Sequence, residues 1–265
     1  MLAHERLDQI QVKVRRAHAH YADLVSAVHS YLATKPYAIS TRRDTGKGLI
    51  YFVSSIQPTP TNISAILGDT IHNLRSALDH LAYQLVFVGA GRLPSSKAYF
   101  PIADNAAKYV EQRGRQINGA TPQAISMIDA LEPYRGGNDT LWKLHKLDNV
   151  DKHRVLITAG SAFRSINLGS YMCRSMQRQF PRLAGIDPKQ LAAFFRPEDR
   201  LFPLKAGDEL FIDGPEAEID ETLEFQFDVA IGEPDIIVGE PILEVVKPMI
   251  DLVEQIVSSF EPMLG

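Results

Sequence analysis

Apolar positions recur with helical spacing in the first third of the chain. Leu7, Ile10, Val14, Ala17, Tyr21, Leu24, Val28 and Tyr31 step alternately by three and four, which lines them along one stripe of a long helix. Pro36 ends it, because proline lacks an amide N–H and crowds the preceding turn. Segments 37–43 and 48–55 are rich in aromatic and β-branched residues and flank Asp44-Thr45-Gly46-Lys47, so they predict a β-hairpin. Leu67, Ile71, Leu74, Leu78, Leu81 and Leu85 give the cleanest stripe and predict a second long helix over 63–88, stopped by Gly89 and Gly91. Pro94 and Pro101 make 93–102 an extended loop, and shorter helices are expected at 106–117 and 122–131. Leu141, Leu144 and Leu147 mark a further helix over 140–152, capped by Asn138 or Asp139.

Beyond His153 the period changes to two. Strands are predicted at 154–159, 165–174, 207–213 and 222–231. In the last, Leu223, Phe225, Phe227, Val229 and Ile231 alternate with Glu224, Gln226, Asp228 and Ala230. A short helix is expected within 188–200. A final helix over 241–263 carries Val246, Met249, Val253, Ile256 and Phe260 on one stripe. Helices and strands do not alternate, so an α+β fold with an antiparallel sheet is favoured over a parallel one. The expected organisation is a mainly helical part over 1–160 with the hairpin at 37–56, then an antiparallel β region over 161–240. The helix within 241–265 packs back on the long N-terminal and central helices to complete an antiparallel helical bundle.

Composition adds exclusions. With 45% hydrophobic residues, a chain of 265 has enough apolar surface for a sizeable core. No apolar run approaches the roughly 20 residues of a membrane span. Glu5 and Arg6 interrupt any signal-peptide core. The single cysteine, Cys173, excludes an internal disulfide and a Cys-based zinc site, and reads as a small buried hydrophobe. A cytoplasmic protein without membrane contact is expected. The net charge of −4 argues against a dedicated basic nucleic-acid binder, but it conceals a split. Residues 1–200 carry 26 basic and 16 acidic side chains (+10), whereas 201–265 carry 2 and 16 (−14). The two parts therefore meet different partners, or each other. The acidic part is also placed to shield a site in the helical part or to repel nucleic acid elsewhere.

Chemistry concentrates on the central helix. Projected at about 100° per residue, its leucines cluster near zero. Asp69, His72, Asn73, Arg75, Ser76, Asp79 and His80 fall on the remaining face. A merely solvated face is the plain alternative, but such faces are usually built from Lys and Glu, which are good helix formers. Asp, Asn, Ser and His are poor ones, so a site or a buried polar network is indicated. A second cluster, His145 to Arg154, ends the helix over 140–152. There Lys152, His153 and Arg154 either complement the helix dipole or form a phosphate site, with Asp151 orienting His153 or Arg154.

Arg75, four intervening residues and His80, on a long helix, resemble the signature of the HEPN superfamily. Ser76 departs from the polar amide often found after the arginine in that family. The strings GDTIHNLRSALDHLAYQL and LDNVDKHRVL also resemble those of uncharacterised bacterial proteins. The HEPN resemblance implies a metal-independent endoribonuclease working as a homodimer, without cofactor. It further implies a toxin or phage-defence effector with an antitoxin or defence partner. On that basis Arg75 holds the scissile phosphate and His80 is the general base or acid. Asp79, Asn73 or His72 shapes the catalytic site, Asp69 orients it, and Lys152 and Arg154 touch the RNA backbone. Two alternatives remain at this level. One is a non-catalytic dimeric interaction or sensing protein. The other is a metal-dependent hydrolase with His72, Asp79 and His80 as ligands, joined by His145 or His153.

Overall fold

A computed structural model describes residues 2–94, 98–153, 156–180, 182, 185–188, 191–196 and 201–265. The fold is α+β. The chain begins with α1 (Ala3–Ala33), followed by the hairpin β1 (Tyr37–Asp44) and β2 (Gly48–Ile56), then α2 (Thr61–Ala90). Next come α3 (Ala106–Gln116), α4 (Pro122–Asp129) and α5 (Asp139–His153). The last third holds β3 (Ala159–Asn167), α6 (Gly169–Gln179), β4 (Phe194–Phe195), β5 (Glu209–Asp213), β6 (Glu224–Glu233), β7 (Ile237–Pro241) and α7 (Ile242–Ser259).

The apolar stripes are what the helices bury. Leu7, Ile10, Val14, Leu24 and Val28 of α1 meet Leu67, Ile71, Leu74, Leu78 and Leu81 of α2, with Val246, Met249, Val253 and Ile256 of α7 closing the same core. Leu141, Leu144 and Leu147 of α5 add their side to it. Gly91, in the left-handed region at φ 63°, caps α2, and its N–H returns to the Phe87 carbonyl. Gly89 therefore lies inside the helix. It allows close approach, since a Cβ there would stand 2.3 Å from the Gly119 carbonyl oxygen.

Two antiparallel sheets follow the orders β1-β2-β5 and β4-β3-β6-β7. The hairpin thus belongs to a sheet completed by 209–213, not to the helical part alone. The β region is not separate from the helices either, because Val229, Ile231 and Ile237 join the helical core. A smaller core of Val53, Phe163, Ile166 and Leu204, flanked by Phe211, Phe225 and Phe227, packs nearby.

Three predicted elements differ. The strand expected at 165–174 stops at Asn167, whose Oδ1 accepts the N–H groups of Gly169 and Ala193 and turns the chain into α6. Tyr171 and Cys173 only mimicked strand alternation, and Cys173 is buried within α6 as a free thiol. The strand expected at 154–159 begins only at Ala159, and Arg154 and Val155 lie outside the described residues. Within 188–200 the described part holds the two-residue strand β4, with 189–190 and 197–200 outside the description.

The charge split is answered across the fold. Arg42 and Lys47 both reach Glu209, at 2.6 and 2.7 Å. Arg164 bridges Asp228 and Glu244, Lys143 reaches Glu240, and Arg174 pairs with Asp220. Each of these pairs keeps a partly exposed partner, and such pairs contribute about 1 kcal/mol or little more each, so they align the parts more than they stabilise them. Among the described residues, no helix is long and apolar enough to cross a membrane.

Candidate functional site at the α2–α5 junction

The polar clusters of α2 and α5 fall into three environments, because different parts of the chain cover them. The first is a buried clamp. Arg75 donates from Nη2 to the Phe100 carbonyl at 2.8 Å and pairs with Asp79 Oδ1 at 2.9 Å. Asp79 Oδ1 also accepts the Phe100 N–H at 3.0 Å. Phe100 is fully buried, so both its peptide groups need partners away from water. Arg75 and Asp79 supply them. Burial pushes the Asp79 carboxyl up and the Arg75 guanidinium down, and their mutual attraction opposes both shifts.

Arg75 is expected to hold a substrate phosphate, and the structure places it inside the fold, with its buried Nη1 lacking a hydrogen-bond partner. Its side chain is only 6% exposed, and its charge is committed to Asp79, so it is not presented to a substrate phosphate. His80 diverges from it, as two residues five apart on a helix point about 140° apart. His80 instead lines a cleft of about 590 Å³ with Gln9, Ser76, Asp79, Tyr83 and Tyr99. Burial and the nearby Lys13 push the His80 imidazole down, against a smaller opposing effect of Asp79.

The second environment unites the two sequence clusters. His72 of α2 places Nδ1 3.2 Å from Asp148 Oδ1 of α5. Asp148 Oδ2 accepts from Lys152 at 2.8 Å. Asp148 is 3% exposed, whereas the His72 side chain is 43% exposed. A nearly buried carboxylate therefore anchors one ring nitrogen and leaves the other toward the surface, where Nε2 lies 3.4 Å from Ser76 Oγ. Asp151 packs against Gly68, where a Cβ would stand 2.3 Å from its Oδ1. Burial first, then Asp69 and Asp148, push the Asp151 carboxyl up, while His72 and Lys152 pull it down. Asn73 is spent locally, donating to the Asp69 carbonyl.

The third environment is a cleft of about 470 Å³ on the outer side of α5, and His153 lines it rather than joining His72. Arg154 is outside the described residues. Of the expected Lys152–His153–Arg154 cluster, the two described members lie apart, Lys152 at the His72 site and His153 in this cleft. The proposed ligand set of His72, Asp79 and His80 is likewise divided. Among the described residues no group of three or more His, Cys, Asp or Glu is arranged to hold a metal ion.

No family model, curated protein or solved structure matches this chain. The site is therefore read from its own chemistry. Asp148 had no assigned role in the sequence, although it falls four residues after Leu144, on the stripe that faces α2. A carboxylate at such a position needs a partner, and that is the signal that identifies it.

His145, one turn before Asn149, supplies a pH test of the junction. Its Nε2 lies 3.1 Å from Asn149 Nδ2, and its buried Nδ1 has no hydrogen-bond partner. Burial, reinforced by Arg75 and Lys146, pushes its pKa down to about 3 from 6.5. The unfolded chain therefore binds this proton near pH 6.5 and the native state only near pH 3. Between those values the unfolded state holds more protons, so His145 contributes stability above pH 6.5 that is lost as pH falls toward 3. The contribution is on the order of a few kcal/mol at most. His145→Gln is expected to flatten the fall of the urea midpoint over that range. An identical fall in both proteins would assign the effect elsewhere.

Proposed function

We propose that the chain is a metal-independent ribonuclease whose base is His72, oriented by Asp148. The observation that carries this reading is the 3.2 Å contact between His72 Nδ1 and the nearly buried Asp148, with Nε2 meeting, among the described residues, only the Ser76 hydroxyl at 3.4 Å, which a substrate hydroxyl would replace. A carboxylate on one ring nitrogen fixes the tautomer and supports the imidazolium that forms when the other takes a proton. Ser76 Oγ marks where a hydroxyl meets Nε2. In the reaction the ribose 2′-hydroxyl gives its proton to Nε2, and the 2′-oxygen attacks phosphorus. The 5′-oxygen leaves with a proton, and Asp151, which interacts with both His72 and Lys152, is the carboxyl assigned to supply it. The products are a 2′,3′-cyclic phosphate and a 5′-hydroxyl. Lys152 offers positive charge to the phosphate. The basic balance of residues 1–200 supports an anionic substrate there.

The test is cleavage of single-stranded RNA with and without EDTA by the wild-type protein and by His72→Ala, His80→Ala and Ser76→Ala. Cleavage that survives EDTA, disappears in His72→Ala and persists in the other two is the expected result. Loss in Ser76→Ala would instead make Ser76 a nucleophile, and loss in His80→Ala alone would move the base to the α1–α2 cleft.

A second reading, a non-catalytic interaction protein, is favoured by an exposed apolar patch. Met172, Met176 and Phe180 recur every four residues along and just beyond α6, and Phe194 and Phe195 of β4 are also exposed. Such patches commonly mark association surfaces. Absence of cleavage in every condition selects this reading.

A further inference from the structure

The cleft outside α5 is not used by the chemistry above. On its wall Arg135 places its guanidinium carbon Cζ over the Trp142 ring, 4.8 Å from the centroid. Trp142 is buried, and its indole N–H donates to Asp104 at 3.3 Å, so the ring is held from its edge. Lys146 approaches the same ring at 5.9 Å and also pairs with Asp104 at 2.6 Å. That pairing, together with the Trp142 N–H, holds the Asp104 carboxyl down to about 2, so the support remains charged at neutral pH. Arg135, by contrast, is exposed and pairs with no carboxylate among the described residues. Its guanidinium carbon sits over the indole, and the side chain is otherwise exposed along the cleft, where a second planar group can approach it.

We infer that this cleft is a nucleobase subsite, in which one base of single-stranded RNA stacks on the Arg135 guanidinium. This rests on the ribonuclease reading for the identity of the polymer. A guanidinium pre-laid on an aromatic ring has already lost its rotamer freedom, so stacking a base on it costs little further ordering. Base stacking on such platforms contributes about 1–3 kcal/mol and tolerates any base. Asp235, across the cleft, accepts from an exocyclic amine, which favours adenine, cytosine or guanine over uracil. His153 and Lys146 line the same cleft and face the adjoining phosphate.

Trp142 is the chain's one tryptophan, so its emission reports on this cleft directly. The probe is a 2′-O-methyl oligoadenylate, which lacks the attacking hydroxyl and stays intact in the wild-type protein. Saturable quenching of Trp142 is expected with it, weaker quenching with the oligouridylate analogue, and none with inorganic polyphosphate. Arg135→Ala should weaken binding about tenfold, in the range a lost stacking contact gives. Arg135→Lys should behave like the alanine variant, because it keeps the charge and removes the plane. Equal responses to polyphosphate and oligonucleotide, or an unchanged affinity in Arg135→Ala, would overturn the inference. RNA cleavage by His72 without a Trp142 response would reject this subsite and leave the catalytic reading standing. Quenching without cleavage would do the opposite.

Discussion

Arg75→Ala is expected to lower the unfolding free energy by about 3–5 kcal/mol, the usual result of removing one partner from a buried ion pair. The cause is local. Asp79 would remain mostly buried without its cation, and the fully buried Phe100 carbonyl would lose its donor. Urea denaturation followed by circular dichroism measures this. Arg75→Met combined with Asp79→Leu separates the two contributions. Replacing a buried pair by apolar groups is often neutral, but here both Phe100 peptide groups would be left bare. The double variant should therefore stay well below the wild type. A wild-type midpoint for Arg75→Ala would return Arg75 to the role of a substrate-facing cation.

Asp148→Asn should show the reverse balance, with a small stability loss and a large activity loss. An amide keeps the volume, but it no longer attracts Lys152 and no longer supports a positive imidazole on His72. Lys152 is partly exposed and returns to water at little cost. RNA cleavage is expected to fall about 100- to 10,000-fold, the range for loss of an oriented base. The unfolding free energy from urea denaturation should fall by no more than a buried polar swap requires, about 1–2 kcal/mol. Initial rates with EDTA present, measured beside that free energy, decide the case. An unchanged rate would remove Asp148 from the mechanism.

These two expectations show where the sequence was readable. The stripes of α1, α2 and α7 needed only helical spacing, because each helix buries one face against the others. The residue types on the α2 polar face were equally informative, since helix-weak Asp, His and Ser marked contacts beyond solvent. What they contact was not readable. The clamp depends on a loop 25 residues after Arg75, and His72 meets a carboxylate 76 residues away. Spacing along one helix says nothing about such partners. The divergence of Arg75 and His80 is available from helix geometry alone, since five residues turn a helix by about 140° beyond a full turn. Within 165–174, short-range alternation outweighed the turn made by Asn167, and α6 was read as a strand.

The position of α7 sets an order of events for the nascent chain. The central core contains side chains from α1 near one end of the sequence and from α7 near the other, with two sheets between them. A ribosome that has synthesised α1 to α5 has made both sides of the His72–Asp148 junction but not the helix that closes the core beneath it. Contacts of such long separation add loop-closure cost and slow folding. The core beneath the junction is therefore completed only after synthesis has passed residue 259.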